Sequence, residues 1–121
     1  MATPSFKELI LWQKAILLTK DIYLHTENFP KTEVFGLRSQ IRRASVSVAS
    51  NIAEGRYRGT RKDFAQFLRI AYGSCAEVNT QIIISKELSF IEEKNYNTLI
   101  AKVEEISKIL NVMIKKLSSP L

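Results

Sequence analysis

A chain of 121 residues suffices for one hydrophobic core and is too short for two independent ones. Its 45% hydrophobic and 25% charged residues suit a globular protein and exclude a disordered one, and apolar runs of four residues or fewer exclude a bilayer-spanning helix. A net charge of +6 with a pI near 9.6 directs attention to polyanionic partners: RNA, DNA or an acidic protein face.

The opening stretch MATPSFKELILWQKAILL has no basic leader, continuous apolar core or cleavage site of a signal peptide. A cytoplasmic location is therefore expected, and the single Cys75 fits a reducing compartment. Ser5 and Glu8 have the spacing of a capping box, in which each side chain satisfies an end amide of a helix. Leu9, Trp12, Ile16, Thr19, Tyr23 and Thr26 then recur every three or four residues. This predicts a first helix over 6–28 with that stripe as its core face. Pro30 ends it, because the residue before a proline is driven out of helical geometry.

A second helix is predicted over 32–55, with Leu37, Ile41, Ala44, Val48 and Ile52 on one face. Thr32 serves as its N-cap and Glu33 faces the positive end of its dipole. Gly55 and Gly59 bracket its exit. Thr60 to Asp63 forms a second capping-box-like start. Phe64, Phe67, Leu68, Ala71, Cys75, Val78 and Ile82 continue as the stripe of a third helix over 61–88. The last helix, 93–117, carries Tyr96, Leu99, Val103, Ile106, Leu110, Met113 and Leu117 in steps of three and four. That is a heptad seam suited to packing at about +20°. Four long helices on short loops predict one all-α domain over 1–121, an antiparallel up-down-up-down four-helix bundle.

The inventory for catalysis is poor. His25 is the only histidine, near a helix end, and Cys75 lies on an apolar stripe where a buried structural thiol is expected. No Cys/His cluster has zinc spacing, no Glu-x-x-His pair occurs for a di-iron site, and no glycine loop precedes a Lys-Ser/Thr. No enzyme activity, metal or cofactor is expected.

Charge placement is more informative. Residues 38–62 hold Arg38, Arg42, Arg43, Arg56, Arg58, Arg61 and Lys62 against Glu54 alone, an excess equal to that of the whole chain. Arg38, Arg42 and Arg56 fall along one line of the second helix, and the exit segment GRYRGTRKD interleaves Tyr57 with four basic residues. Arginine pairs with phosphate and a tyrosine ring stacks on bases, so Arg38, Arg42, Arg56, Tyr57, Arg58, Arg61 and Lys62 form the candidate nucleic-acid surface. A solvated basic edge is the plainer alternative.

The run ASVSVAS offers a second small-residue edge, with Val46 and Ala53 on it, for another helix or another subunit; a subunit is favoured. Asn51 lies at the margin of the core face and needs hydrogen-bond partners, for which Glu77 and Gln81 of the third helix, or Arg42 and Arg43 on a neighbour, are candidates. Arg43, Val46, Ser50, Asn51, Ala53, Glu54, Glu77 and Gln81 thus form a candidate assembly and polar network, favoured over a ligand site.

FKELILWQKA, FPKTEVFGLRSQIRRASVSVASNIAEG and FAQFLRIAYGSCAEVNTQ resemble the four-helix-bundle proteins encoded in intervening sequences of bacterial large-subunit ribosomal RNA genes. The resemblance runs from about Phe6 to Leu117 and is most specific over Gly36–Gly55. It implies a homo-oligomer, with a pentameric ring as the arrangement. A related branch supplies accessory proteins of diversity-generating retroelements, which bind nucleic acid and a reverse transcriptase. Arg42, Arg43, Asn51, Glu54, Gly55 and the segment Gly73–Glu77 place this chain nearer the intervening-sequence branch, so a reverse transcriptase is not the partner it implies.

Overall fold

The computed structural model describes the backbone of residues 6–120 and the side chains of residues 8–120. It contains α1 (Phe6–Thr26), a 3₁₀ turn (Lys31–Glu33), α2 (Leu37–Arg58), α3 (Arg61–Glu87) and α4 (Glu93–Ser118). Each helix packs on the next, and α4 returns to α1, with no close packing across either diagonal among the described residues. The result is the up-down-up-down four-helix bundle expected from the loop lengths.

The core is almost entirely aliphatic. Ile41, Val48 and Ile52 of α2, Phe64, Leu68 and Val78 of α3, and Leu99, Val103, Ile106 and Leu110 of α4 are buried along the expected stripes. Burial of each large side chain contributes about 1.5–3 kcal/mol. Cys75 is buried among them.

The first helix differs from its reading. Leu11, Ala15, Leu18 and Ile22 face the core, whereas Leu9, Trp12, Ile16 and Tyr23 are 38–43% exposed. Both sets have helical spacing, so periodicity alone cannot choose between them. The buried set is purely aliphatic. The displaced one carries the half-buried Thr19 and the exposed Tyr23, whose polar atoms suit a seam with solvent at its edge, and of that stripe Thr26 alone is buried as expected. Thr26 is fully buried with its hydroxyl donating to the Ile22 carbonyl at 2.7 Å, and the Phe29 amide bonds back to the Thr26 carbonyl at 3.2 Å. The helix therefore stops at Thr26 rather than at 28. Ser5, the other half of the first capping box, lies outside the described residues.

The second helix starts five residues later than expected. Thr32 lies in the 3₁₀ turn, and Gly36 holds the N-cap position. Glu33 folds back so that its carboxylate accepts the Leu37 amide at 2.9 Å. A Cβ on residue 36 would sit 2.7 Å from that carboxylate oxygen, so a larger residue there would move the Glu33 side chain off the Leu37 amide. At the other end α2 runs through Gly55 to Arg58 and stops at Gly59, whose φ of 87° is left-handed. Thr60 then caps α3 by accepting the Asp63 amide at 3.1 Å.

Candidate nucleic-acid interface and helix seams

The antiparallel pairing of α1 and α2 is held by polar contacts that sequence spacing does not reveal. Thr19 donates to the Ser45 carbonyl at 3.0 Å. One end of the seam is closed by Arg42, which donates through Nε to Thr26 Oγ1 at 2.9 Å and through Nη2 to the Tyr23 carbonyl at 3.1 Å. Its guanidinium also lies over the Tyr23 ring, and both it and Arg38 approach the Glu27 carboxylate. At the other end Arg56 pairs with Glu8 at 3.5 Å, with both side chains less than 15% exposed. Three arginines singled out as phosphate contacts thus have partners inside the subunit, Arg42 and Arg56 on α1 and Arg38 on Glu27 just beyond it.

The α2–α3 seam is built from small residues. Ser47 and Ser74 share a hydroxyl–hydroxyl bond of 2.8 Å, and the Asn51 amide donates to the Ser47 carbonyl and hydroxyl at 2.8 and 3.0 Å. Within the chain the Asn51 amide thus finds its partner in Ser47, one turn earlier, rather than in Glu77 or Gln81 of α3. Gly55 is buried against Phe64 and Phe67; it provides the close approach of α2 to α3 rather than the helix exit. Gln81 is buried, while Glu77 lines an open groove with Gln40, Arg43, Ala44 and Ser47. Glu54 points elsewhere and pairs with Arg58 at 3.1 Å. Neither Asn51 nor Glu54 lines that groove with Glu77.

Of the small-residue run, Ser45 and Ala49 are buried toward α1. Val46, Ser50 and Ala53 lie on the outer edge of α2, with Val46 and Ser50 exposed. The pairings Tyr23–Arg42, Thr19–Ser45 and Glu8–Arg56 fix the register. In that register Ile16 lies level with Ala49 and Trp12 with Ala53, so the displaced apolar stripe of α1 borders the outer edge of α2.

The exit segment remains open. Tyr57 is 90% exposed, and Arg58, Arg61 and Lys62 are exposed beside it, Arg58 resting over the Phe67 ring. Arg61 donates to the Lys116 carbonyl at 3.0 Å and Arg69 to the Ser118 hydroxyl at 2.6 Å. These bonds bring the last turn of α4, with Lys115 and Lys116, into the same basic end of the bundle. Sequence reading missed Arg69, Lys115 and Lys116. Connectivity contained the clue, since an up-down-up-down bundle places the end of the fourth helix beside the turn between the second and third.

The Cys75 thiol is pushed up to about 11 by burial, with a Ser107 hydrogen bond acting in the opposite direction. That excludes it as a ready thiolate nucleophile at neutral pH. Among the described residues no group of His, Cys, Asp or Glu is placed to hold a metal ion, and no helix is long and apolar enough to cross a membrane.

Residues 7–112 match the model of the 23S rRNA-intervening sequence protein family. The chain belongs to that family. The intervening-sequence fold recurs in the 1.70 Å crystal structure of a protein of unknown function from the S23 ribosomal protein family of Bacteroides thetaiotaomicron. The two superpose with a TM-score of 0.82 at 23% identity, covering 91% of this chain and 99% of that one, a likeness of fold. No curated protein matches the chain. The family description agrees with the resemblance carried by Gly36–Gly55, and it assigns no reaction to the bundle.

Proposed function

We propose that this intervening-sequence protein is a non-enzymatic, homo-oligomeric bundle that binds RNA through its basic end. The observation that carries the reading is the convergence there of Tyr57, Arg58, Arg61 and Lys62 with Arg69, Lys115 and Lys116. These side chains come from three helices at one end of the bundle, where basic groups suit phosphate contacts and the exposed Tyr57 ring suits stacking. Arg42 and Arg56 have the different task of holding α1 against α2.

Titration of a labelled structured RNA against salt tests the reading. Affinity is expected to fall steeply between low and physiological salt. Replacing Lys62 and Lys115 together by alanine should lower the magnitude of the log–log salt slope by about 1.4–1.8, from roughly 0.7 per lost phosphate contact on unpaired and roughly 0.9 on paired segments. Absence of binding at low salt, or affinity independent of salt, rejects it. A DNA of the same sequence in parallel distinguishes the two polyanions.

Assembly is favoured by a separate observation, the exposed Leu9, Trp12, Ile16 and Tyr23 bordering Val46 on α2. Apolar side chains aligned on one face mark a protein contact surface more often than scattered ones do. A second copy of the chain is the occupant in this reading, and a pentameric ring is the arrangement the family resemblance implies. Light scattering should return a multiple of the 13.8 kDa chain mass, reduced to the single chain by Trp12→Glu with Ile16→Glu. A monomeric wild-type protein rejects assembly while leaving RNA binding to its own test. An assembled ring that binds no RNA would instead support a scaffold for a partner protein.

A further inference from the structure

On the side of the bundle away from the α1–α2 seam, α1 and α4 are joined at mid-length by Lys14–Glu105 and Lys102–Asp21 ion pairs. Beyond them, toward the basic end, the two helices leave a half-open groove of about 640 Å³. Its walls are Ile10, Ile109, Val112, Met113 and Leu117, and its rim carries Arg61, Lys108 and Lys116. Glu8 also lines it, but its carboxylate faces Arg56 across a pair shielded from solvent. The rim is therefore net positive around an apolar trough. Val112, in the middle of that trough, is 60% exposed.

Charge and shape together select the occupant. The phosphate backbone of a nucleic acid has no apolar face to bury against Ile109, Val112 and Met113, and among the described residues the trough offers no aromatic ring for a base to stack on. The trough follows α4 from Lys108 to Leu117, about 14 Å at the rise of an α-helix, and is open along one side. That suits a laid-in helix better than an enclosed small molecule. We infer that the α1–α4 groove is a docking site for an amphipathic helix of a partner protein, with apolar anchors at helical spacing and carboxylates flanking them. Its anchors would cover Val112 and Met113, and its carboxylates would meet Lys108, Lys116 and Arg61 at the rim.

The probe is a fluorescent peptide of about 14 residues, ~21 Å as a helix, with leucines at every third or fourth position and glutamates beside them. Its polarisation is read on the full-length protein, with a charge-reversed lysine peptide as control. The acidic peptide should bind at least tenfold more tightly than the lysine peptide. Val112→Gln should weaken it at least tenfold while leaving RNA affinity within twofold, because the change removes apolar contact and no charge. Lys108→Glu should weaken it and reduce its salt dependence. Equal binding of both peptides, or no effect of Val112→Gln, overturns the proposal. Three other occupants would also overturn it. One is a groove that takes dodecanoate but no peptide. Another is a solution mass lowered by Val112→Gln, making the groove a subunit contact. The last is peptide binding seen only when residues 1–5 are deleted, making it the seat of the chain's own beginning.

Discussion

Arg42 holds its guanidinium carbon 4.4 Å from the centre of the Tyr23 ring. The same side chain donates to Thr26 Oγ1 and the Tyr23 carbonyl, satisfying end groups of α1 from α2. Arg42→Ala is therefore expected to lower stability by about 1–3 kcal/mol, chiefly by leaving these acceptors without their charged donor. The partly solvated Glu27 contributes little to that loss. Urea denaturation reads the change. RNA affinity of the folded fraction should stay within twofold, in contrast to the Lys62 and Lys115 variants.

The Arg56–Glu8 pair is shielded from solvent on both sides. Removing one partner leaves a charge in a site poor in water, so each single alanine variant should cost more than the double variant implies. A double-mutant cycle on unfolding free energy should give a coupling of about 1–2 kcal/mol. A coupling near zero would mean that α1 is held at this end by its apolar contacts alone.

Three glycines should respond to alanine in different ways. At Gly55 a Cβ would lie 2.6 Å from Phe67 Cβ and 3.1 Å from the Phe64 ring, so Gly55→Ala forces α2 and α3 apart and should cost about 1–3 kcal/mol. At Gly59 the φ of 87° makes alanine strained although the space is open, and a cost of about 1 kcal/mol is expected. Gly73 lies within α3 with nothing near its Cβ position, so Gly73→Ala should stabilise by about 0.5–1 kcal/mol. Thermal melts of the three variants check the order.

Burial raises the Cys75 thiol from 9.0 to about 11. Below pH 9 both folded and unfolded chains keep the proton and this group adds no pH dependence. Between pH 9 and about 11 the unfolded chain ionises first, so stability falls as pH rises, by on the order of 2 kcal/mol across that window. Comparison with Cys75→Ala isolates the contribution, since the variant should lose this part of the alkaline decline. Native Cys75 should also resist iodoacetamide at pH 8 until denaturant is added.

Legibility followed the number of apolar faces on each helix. In α4 one stripe is clearly apolar, and Leu99, Val103, Ile106 and Leu110 are buried as spacing requires. In α1 two stripes compete, and the aromatic-bearing one, read as core, lies outside. Charge was legible as composition but its pairing was not, because Glu8 and Glu27 meet Arg56, Arg42 and Arg38 only in the folded chain.

By itself the sequence determined four helices, their order and short turns, and three of the four core faces. These depend on local periodicity, capping by Thr60 and chain breaks at Pro30 and Gly59, all properties of neighbouring residues. Tertiary structure decided which face of α1 is buried, which arginines are paired within the chain, and that the lysines of α4 join the basic turn after α2. Those outcomes depend on contacts between residues far apart in sequence, where two locally equivalent faces or charges are distinguished only by what packs against them.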